Sequence, residues 1–344
     1  MSRALRLLLI VLLLGGIAAA AVAIQFNRFL NTSVSLAGTD EVFQIRSGAS
    51  FREVSESLAE RGVISRPLFF RIYARLRGEA GNVQAGEYEI SQEDTPTSLL
   101  AKFVGGEVLL YSFTIVEGWN YRDLLRELAA APELEATLTD EDWPALLEEF
   151  GAEVSHPEGL FLPETYRFAR GTRDVDILNQ AYAMMQEAIE EEWPTRLPGL
   201  PISTPYEALV LASIVEKETA LASERPRIAG VFVRRLQKRM RLQTDPTVIY
   251  GIGADFNGNL TRRDLRTDTP YNTYTRFGLP PTPIAMPGRA AIRAALHPAE
   301  GTELFFVATG IGDGSHKFSD TKDEHDAAVR EYLQRQRAAR RREQ

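Results

Sequence analysis

The hydrophobic pattern opens with an unbroken apolar stretch, Leu7 to Phe26, written LLLIVLLLGGIAAAAVAIQF. It carries no charge, and as a helix rising about 1.5 Å per residue it reaches about 30 Å, the thickness of a bilayer core. Arg3 and Arg6 precede it. The positive-inside rule therefore makes residues 1–6 a cytoplasmic tip and sends everything after the span outside. Two readings of the stretch stand. One is a retained transmembrane anchor over 7–26, favoured because the apolar run exceeds a usual signal-peptide core; the other is a cleaved signal peptide, with small-residue sites between Ala18 and Ala23. Either way the bulk of the chain is exported. Residues 27–40 are polar and irregular and read as a linker.

The next stretch, EVFQIRSGASFREVSESLAERGVIS, alternates as a strand, turns at Ser-Gly, and then spaces Phe51, Val54, Leu58 and Val63 as a helix face. RPLFFRIYARLRG predicts a second helix, with Pro67 near its start and Gly78 at its end. QAGEYEIS closes a strand, helix, helix, strand unit over 41–92, and TPTSLLAKFVGG adds a glycine-bounded helix. The turn-helix SGASFREVSESLAERGVI and this element order resemble the LysM-like module of cell-wall proteins. That resemblance implies a unit that either touches glycan or spaces the next domain.

A larger α+β unit spans 105–333. LLYSFTIVEGWNYRDLLRELA reads as strand, glycine turn and helix, and Asp140 to Phe150 as another helix. PEGLFLPETYRFARG crowds aromatics and two prolines into a stiff, extended segment. STPYEALVLASIVEKETALASERP carries strong helix-start signals: Thr204 as N-cap, Pro205 at the first helical position and Glu207 completing a capping box. This helix should run from Pro205 to about Leu221, with another beginning at Ser223 to Pro226 and continuing through RIAGVFVRRLQKRM. The tail, 334–344, is basic and reads as a solvated end.

Composition narrows the chemistry. With 44% hydrophobic residues in 344, the chain can bury a sizeable core, and a net charge of −8 argues against nucleic acid as a partner. There is no cysteine, which removes disulfides, thiolate catalysis and cysteine-ligated metal. His156, His297, His316 and His325 are scattered without an H-E-x-x-H, so neither a metal nor any other cofactor is expected. GIGADFNG and GIGDG lack the spacing of nucleotide loops, and no G-x-S-x-G occurs.

The helix ending in ASIVEKETA holds the one pointed candidate. Residues two apart on a helix face about 200° away from each other, so Glu216 and Glu218 cannot share an environment. Leu211, Ile214, Val215 and Glu218 form one apolar face that ends in a carboxylate, whereas Glu216 falls with Ala212, Ser213 and Thr219 on a more polar one. Glu218 is then a half-buried acid with a raised pKa, suited to general-acid work. The competing reading is a helix-end glutamate that reaches water or pairs with Arg225 or Arg227. Downstream, MRLQTDPTVIYGIG and YNTYTRFGLPPTPIAMPG read as loops fixed by prolines and glycines. Tyr271, Tyr274 and Phe277 offer stacking faces for sugars, and Gln243, Thr244, Asp245, Asn272 and Thr273 offer hydrogen bonds. Ordinary loop chemistry produces the same composition.

As strings, ASIVEKETALASERPRIAGVFVRRL, MRLQTDPTVIYGIG, YNTYTRFGLPPTPIAMPG, HPEGLFLPETYRF and GSHKFSDTKDEH resemble the YceG-like, or endolytic murein transglycosylase, family of bacterial inner-membrane proteins. The resemblance runs from the anchor to about Leu333. It implies an α+β protein with an N-terminal membrane helix, the small LysM-like module and a catalytic domain over 105–333, single-pass in the inner membrane with its bulk in the periplasm. It also implies an endolytic lytic transglycosylase that cleaves the MurNAc-β-1,4-GlcNAc bond of peptidoglycan strands to give 1,6-anhydroMurNAc ends, ending nascent strands beside peptidoglycan synthases. The family's catalytic glutamate matches Glu218. Gln243, Thr244, Asp245 and Tyr250 match one motif, and Tyr271, Asn272, Thr273 and Tyr274 another; both are expected beside the glycan. Glu158 and Tyr166 match an EG-F-P-TY segment expected to contact substrate, in which Glu164 stands where relatives carry Asp. His316 matches a C-terminal motif and is read either as a substrate contact or as structural. Two rival functions remain: a non-catalytic peptidoglycan-binding scaffold, and a muramidase hydrolysing the same bond with Asp245 or Glu164 as second acid.

Overall fold

The computed structural model describes residues 3–36, 38 and 40–342. Met1 and Ser2 of the expected tip, Ala37 and Thr39 of the expected linker and the last two tail residues lie outside them. The chain divides into two compact units, 1–111 with 167–171, and 112–166 with 172–344.

The first unit begins with α1 (Arg3–Asn31), a helix long and apolar enough to cross a membrane and exposed along its apolar length. It does not stop at Phe26. It runs five residues into the expected linker, because Phe29 and Leu30 at its end, and Val34 just beyond, are buried in the core of the unit. That core forms between β1 (Asp40–Ile45), α2 (Phe51–Glu60), α3 (Pro67–Leu76), β2 (Gly86–Ser91) and α4 (Pro96–Gly105). The strands pair antiparallel, with Phe43 opposite Tyr88. Their period-two pattern turns Phe43, Ile45, Tyr88 and Ile90 onto the helices. Ser50 and Glu53 close a capping box at the start of α2, as Thr95 and Ser98 do for α4. Strand, helix, helix, strand is the order the pattern predicts.

The chain continues through β3 (Leu110–Thr114), α5 (Tyr121–Ala130), β4 (Leu134–Glu135), α6 (Trp143–Glu149), β5 (Thr165–Ala169), β6 (Thr172–Arg173) and α7 (Asp174–Glu192). Then follow α8 (Pro205–Glu218), α9 (Arg225–Gln237), α10 (Asp245–Ile252), α11 (Arg289–Leu296), β7 (Phe305–Ala308), β8 (His316–Ser319) and α12 (Lys322–Arg342). In the second unit α8 is the central element. Every residue from Ala208 to Val215 is buried, against α7, α9 and α11. A helix enclosed on all sides has no need of a single apolar face, so the one-sided pattern seen in the sequence understates its burial. The Thr204 hydroxyl accepts the Glu207 backbone N–H at 3.1 Å, as expected of an N-cap. The Glu207 carboxylate, however, accepts from Ser203 rather than from Thr204, so the capping box is displaced by one residue. The helix stops at Glu218 instead of about Leu221, because Thr219 turns extended (φ −148°, ψ 135°). Two further expectations change. Residues 245–252, read as loop, form α10 with Pro246 in its first turn, and the stretch from 157 to 164 makes turns before β5 begins.

Candidate active site

Glu218 is the last residue of α8, so its carboxyl sits at the negative end of a helix dipole, beside a partly enclosed cavity of about 360 Å³. Phe232 and Arg235 of α9, Phe305 and Phe306 of β7, and His325 of α12 form much of the wall; Gln243, Asp245 and Tyr274 complete the polar side. Burial pushes the Glu218 carboxyl up to about 7, and the charge of Asp245 pushes in the same direction. Three influences oppose it: a hydrogen bond donated by the Thr244 hydroxyl to Glu218 Oε1, and the nearby charges of His316 and Arg235. Desolvation outweighs them, so the acid is poised near neutrality.

Thr244 is fixed by its neighbours. Its backbone N–H donates to Thr273 Oγ1 at 3.1 Å, and its carbonyl accepts from Thr247 Oγ1 at 2.8 Å. The hydroxyls of Thr247 and Thr273 share a hydrogen bond of 2.9 Å. With Gln243 N–H donating to the Thr273 carbonyl at 3.2 Å, the two loop motifs are laced together beside Glu218. Gln243 is exposed on the cavity rim and holds a left-handed backbone (φ 50°), an uncommon state for a residue with a side chain. The Tyr274 hydroxyl donates to Asp245 Oδ1 at 2.5 Å.

The remaining expected positions separate into other roles. Asn272 is fully buried; its amide donates to the carbonyls of Asp264 and Thr267 and accepts from Tyr274 N–H, so it shapes the loop. Tyr166 is an interior side chain whose hydroxyl donates to the Leu162 carbonyl at 2.6 Å, away from the cavity. His316 gives both its backbone N–H and Nδ1 to Glu224, at 3.0 and 2.7 Å, and its ring meets Phe306 edge-on. Glu164 is exposed and accepts from Thr165 N–H.

Glu158 is also interior, and it defines a second polar centre with Tyr250 and Tyr271. One carboxyl oxygen accepts from Tyr121 N–H at 3.2 Å, at the start of α5. The other lies beside the buried Tyr250 hydroxyl, and neither has a further hydrogen-bond partner among the described residues. Burial raises this carboxyl to about 8. A protonated Glu158 can then donate to Tyr250, whose ring lies edge-on to Tyr271 at 4.9 Å. Tyr271 ends in a hydrogen bond to Thr282 Oγ1 at 2.9 Å. Gly159 holds φ 78°, and a Cβ there would strike Pro283, so the EG pair needs its glycine for close approach.

Glu216 is more buried than its polar helix face suggests. It pairs with Arg225 at 2.8 Å and accepts from Gly288 N–H at 3.0 Å. Arg225 thus serves Glu216, and Arg227 serves Glu303, so neither arginine neutralises Glu218. Arg235, absent from the residues expected at the site, is a buried guanidinium that donates to the carbonyls of Leu242 and Leu304 and lines the cavity. Its signal is an arginine three residues after Phe232 on an apolar helix face. The β7 and α12 walls have no comparable local signal.

The sequence model of the YceG-like family matches residues 43–331. A Bacillus subtilis (strain 168) protein named endolytic murein transglycosylase is 30% identical over 306 residues, covering 84% of each chain. A Streptococcus pneumoniae serotype 2 protein of the same name is 27% identical over 322 residues, covering 84% of this chain and 58% of that one. The crystal structure of a YceG-like protein from Listeria monocytogenes superposes with a TM-score of 0.51 at 28% identity, over 84% of this chain and 99% of that one. A match that takes in both units and the cavity around Glu218 settles the kinship: the chain belongs to the YceG-like family.

Proposed function

We propose that this protein is a lytic transglycosylase of peptidoglycan, and that Glu218 is its catalytic acid and base. The observation that carries the reading is the Glu218 carboxyl, poised near 7 at the edge of the cavity and held by Thr244. The names of the curated relatives agree with it. Protonated Glu218 donates to the glycosidic oxygen as the bond from the MurNAc anomeric carbon to that oxygen breaks, freeing GlcNAc with a hydroxyl. The MurNAc C6 oxygen attacks the same carbon and gives its proton to the Glu218 carboxylate, restoring the starting state. One carboxyl suffices, no water is consumed, and the new end is 1,6-anhydroMurNAc. Asp245, tied to Tyr274, adds negative charge that favours the protonated form of Glu218 and favours a cationic sugar beside it.

The reading extends to location and partners. On it, α1 is a single-pass anchor whose arginine-flanked end stays in the cytoplasm, with both units in the periplasm; residues 41–92 act as the LysM-like module and 105–333 as the catalytic domain. The family resemblance adds strand ending beside peptidoglycan synthases. The muramidase reading keeps one supporting feature, since Asp245 shares the cavity with Glu218 and an acid there can activate water. Product mass separates the two. Detergent-solubilised full-length protein is incubated with un-crosslinked glycan strands, and the anhydro product weighs one water less than the hydrolysed one. Glu218→Gln should lower the rate by about 10²- to 10⁴-fold, the range of a lost acid–base group. Undiminished anhydro ends from that variant would move the catalytic role to another residue, whereas no cleavage by the wild-type protein would return it to the scaffold class.

A further inference from the structure

One surface of the first unit has no use in this chemistry. Ala19, Val22 and Phe26 of α1 face Phe69, Ile72 and Leu76 of α3 across an open groove of about 500 Å³ lined only by apolar residues. The rings of Phe26 and Phe69 touch edge-on at 5.4 Å, which fixes one end of the groove. From there α3 runs back alongside the span: Phe69 to Leu76 rises about 10 Å and Phe26 to Ala19 about 10 Å, so Leu76 lies beside the outer part of α1. Leu68, Ile72 and Leu76, spaced four apart, are 56%, 39% and 76% exposed. Such an apolar stripe is costly in water. It is continuous with the exposed side chains of α1 from Leu7 to Ile24, for which a bilayer is the natural cover. The exposed Arg75 and Arg77 flank Leu76, Arg77 also meeting Glu79 at 3.0 Å with most of its side chain still exposed; this arrangement lets a helix end dip into a membrane interface while its cations stay with phosphate.

We propose that this groove is a lipid seat: an acyl chain of an outer-leaflet phospholipid lies between α1 and α3, Leu76 enters the interface, and Arg75 and Arg77 meet lipid phosphates. The proposal rests on α1 being the membrane anchor. It makes α3 a second membrane contact, so that the first unit is held on the bilayer surface by more than its covalent tether.

Because the chain has no cysteine, single cysteines can carry a fluorescent NBD label without background. Full-length protein with Leu76→Cys, Val11→Cys in the span, or Glu60→Cys on the exposed end of α2 is placed in nanodiscs containing phosphatidylglycerol. Doxyl-labelled phospholipid quenches labels among acyl chains, and iodide quenches those in water. The label at position 76 should be quenched by doxyl lipid, as at position 11, and shielded from iodide relative to position 60. Adding Arg75→Glu and Arg77→Glu should lower its doxyl quenching by about twofold or more, since each basic residue adds attraction to an anionic surface. A position 76 as open to iodide as position 60, with position 11 still quenched by lipid, overturns the lipid seat and leaves the anchor standing. If position 11 also escapes doxyl lipid, the anchor reading falls and the lipid seat with it.

Discussion

The proton affinity of Glu218 is set by a few atoms. Thr244 stabilises the carboxylate by donating to it, so Thr244→Val removes a lowering influence and the pKa should climb above about 7. On the proposed mechanism bond cleavage needs the protonated form, so its rate falls as pH rises through that pKa. The alkaline limb of the pH–rate profile should therefore move up in Thr244→Val, while Glu218→Gln has no such limb to move. Glu158 offers a parallel test on stability. Its folded pKa of about 8 lies above the ordinary 4.5, so the folded state binds more protons between those values and stability falls as pH rises through the window. Glu158→Gln removes that penalty while its amide can still accept from Tyr121. The difference in melting temperature between variant and wild type should grow in the variant's favour from pH 5 to pH 8; a difference that stays flat with pH would mean the carboxyl is not neutral when folded.

At the scale of elements, α8 shows how two glutamates two residues apart acquire different partners. Glu216 ties α8 to the start of α9 through Arg225 and to the entry of α11 through Gly288. Arg225 keeps a second partner in Glu117 at 3.2 Å, so what Glu216→Ala loses is one charge-assisted pair and the acceptor for Gly288 N–H, and it should cost about 1–3 kcal/mol in a denaturant titration. Glu218→Gln should leave the same titration little changed or more stable at pH 8. The half-buried setting of Glu218 was legible because its carboxylate ends an apolar repeat, and the start of α8 because capping is local chemistry. Thr244 was legible as a polar candidate but not as the residue that touches Glu218, since that contact joins positions 26 apart. The helix α10 escaped because proline and glycine mark helix ends as readily as turns. The interior places of Glu158 and Tyr166 escaped for another reason: a charged or hydroxyl side chain signals polarity, and only the packed fold tells whether that polarity faces substrate or a buried backbone group.

For the whole molecule, the decisive departure from the sequence pattern is the shortened linker. Polar composition after Phe26 suggests a loose tether, yet Phe29, Leu30 and Val34 belong to the core of the first unit. Fully burying each contributes about 1.5–3 kcal/mol. A chain begun at residue 27 should therefore keep the first unit's thermal transition, and one begun at residue 38 should lose several degrees or unfold that unit, as read by calorimetry. The continuity of α1 into that core has one more consequence. If α1 lies in the bilayer, as proposed, the enzyme searches by lateral diffusion in a thin shell next to the membrane, where confinement raises its effective concentration for any strand that lies there. Weak individual glycan contacts can then suffice for turnover in the cell, and a Michaelis constant measured in detergent solution will overstate the amount of substrate the anchored protein needs.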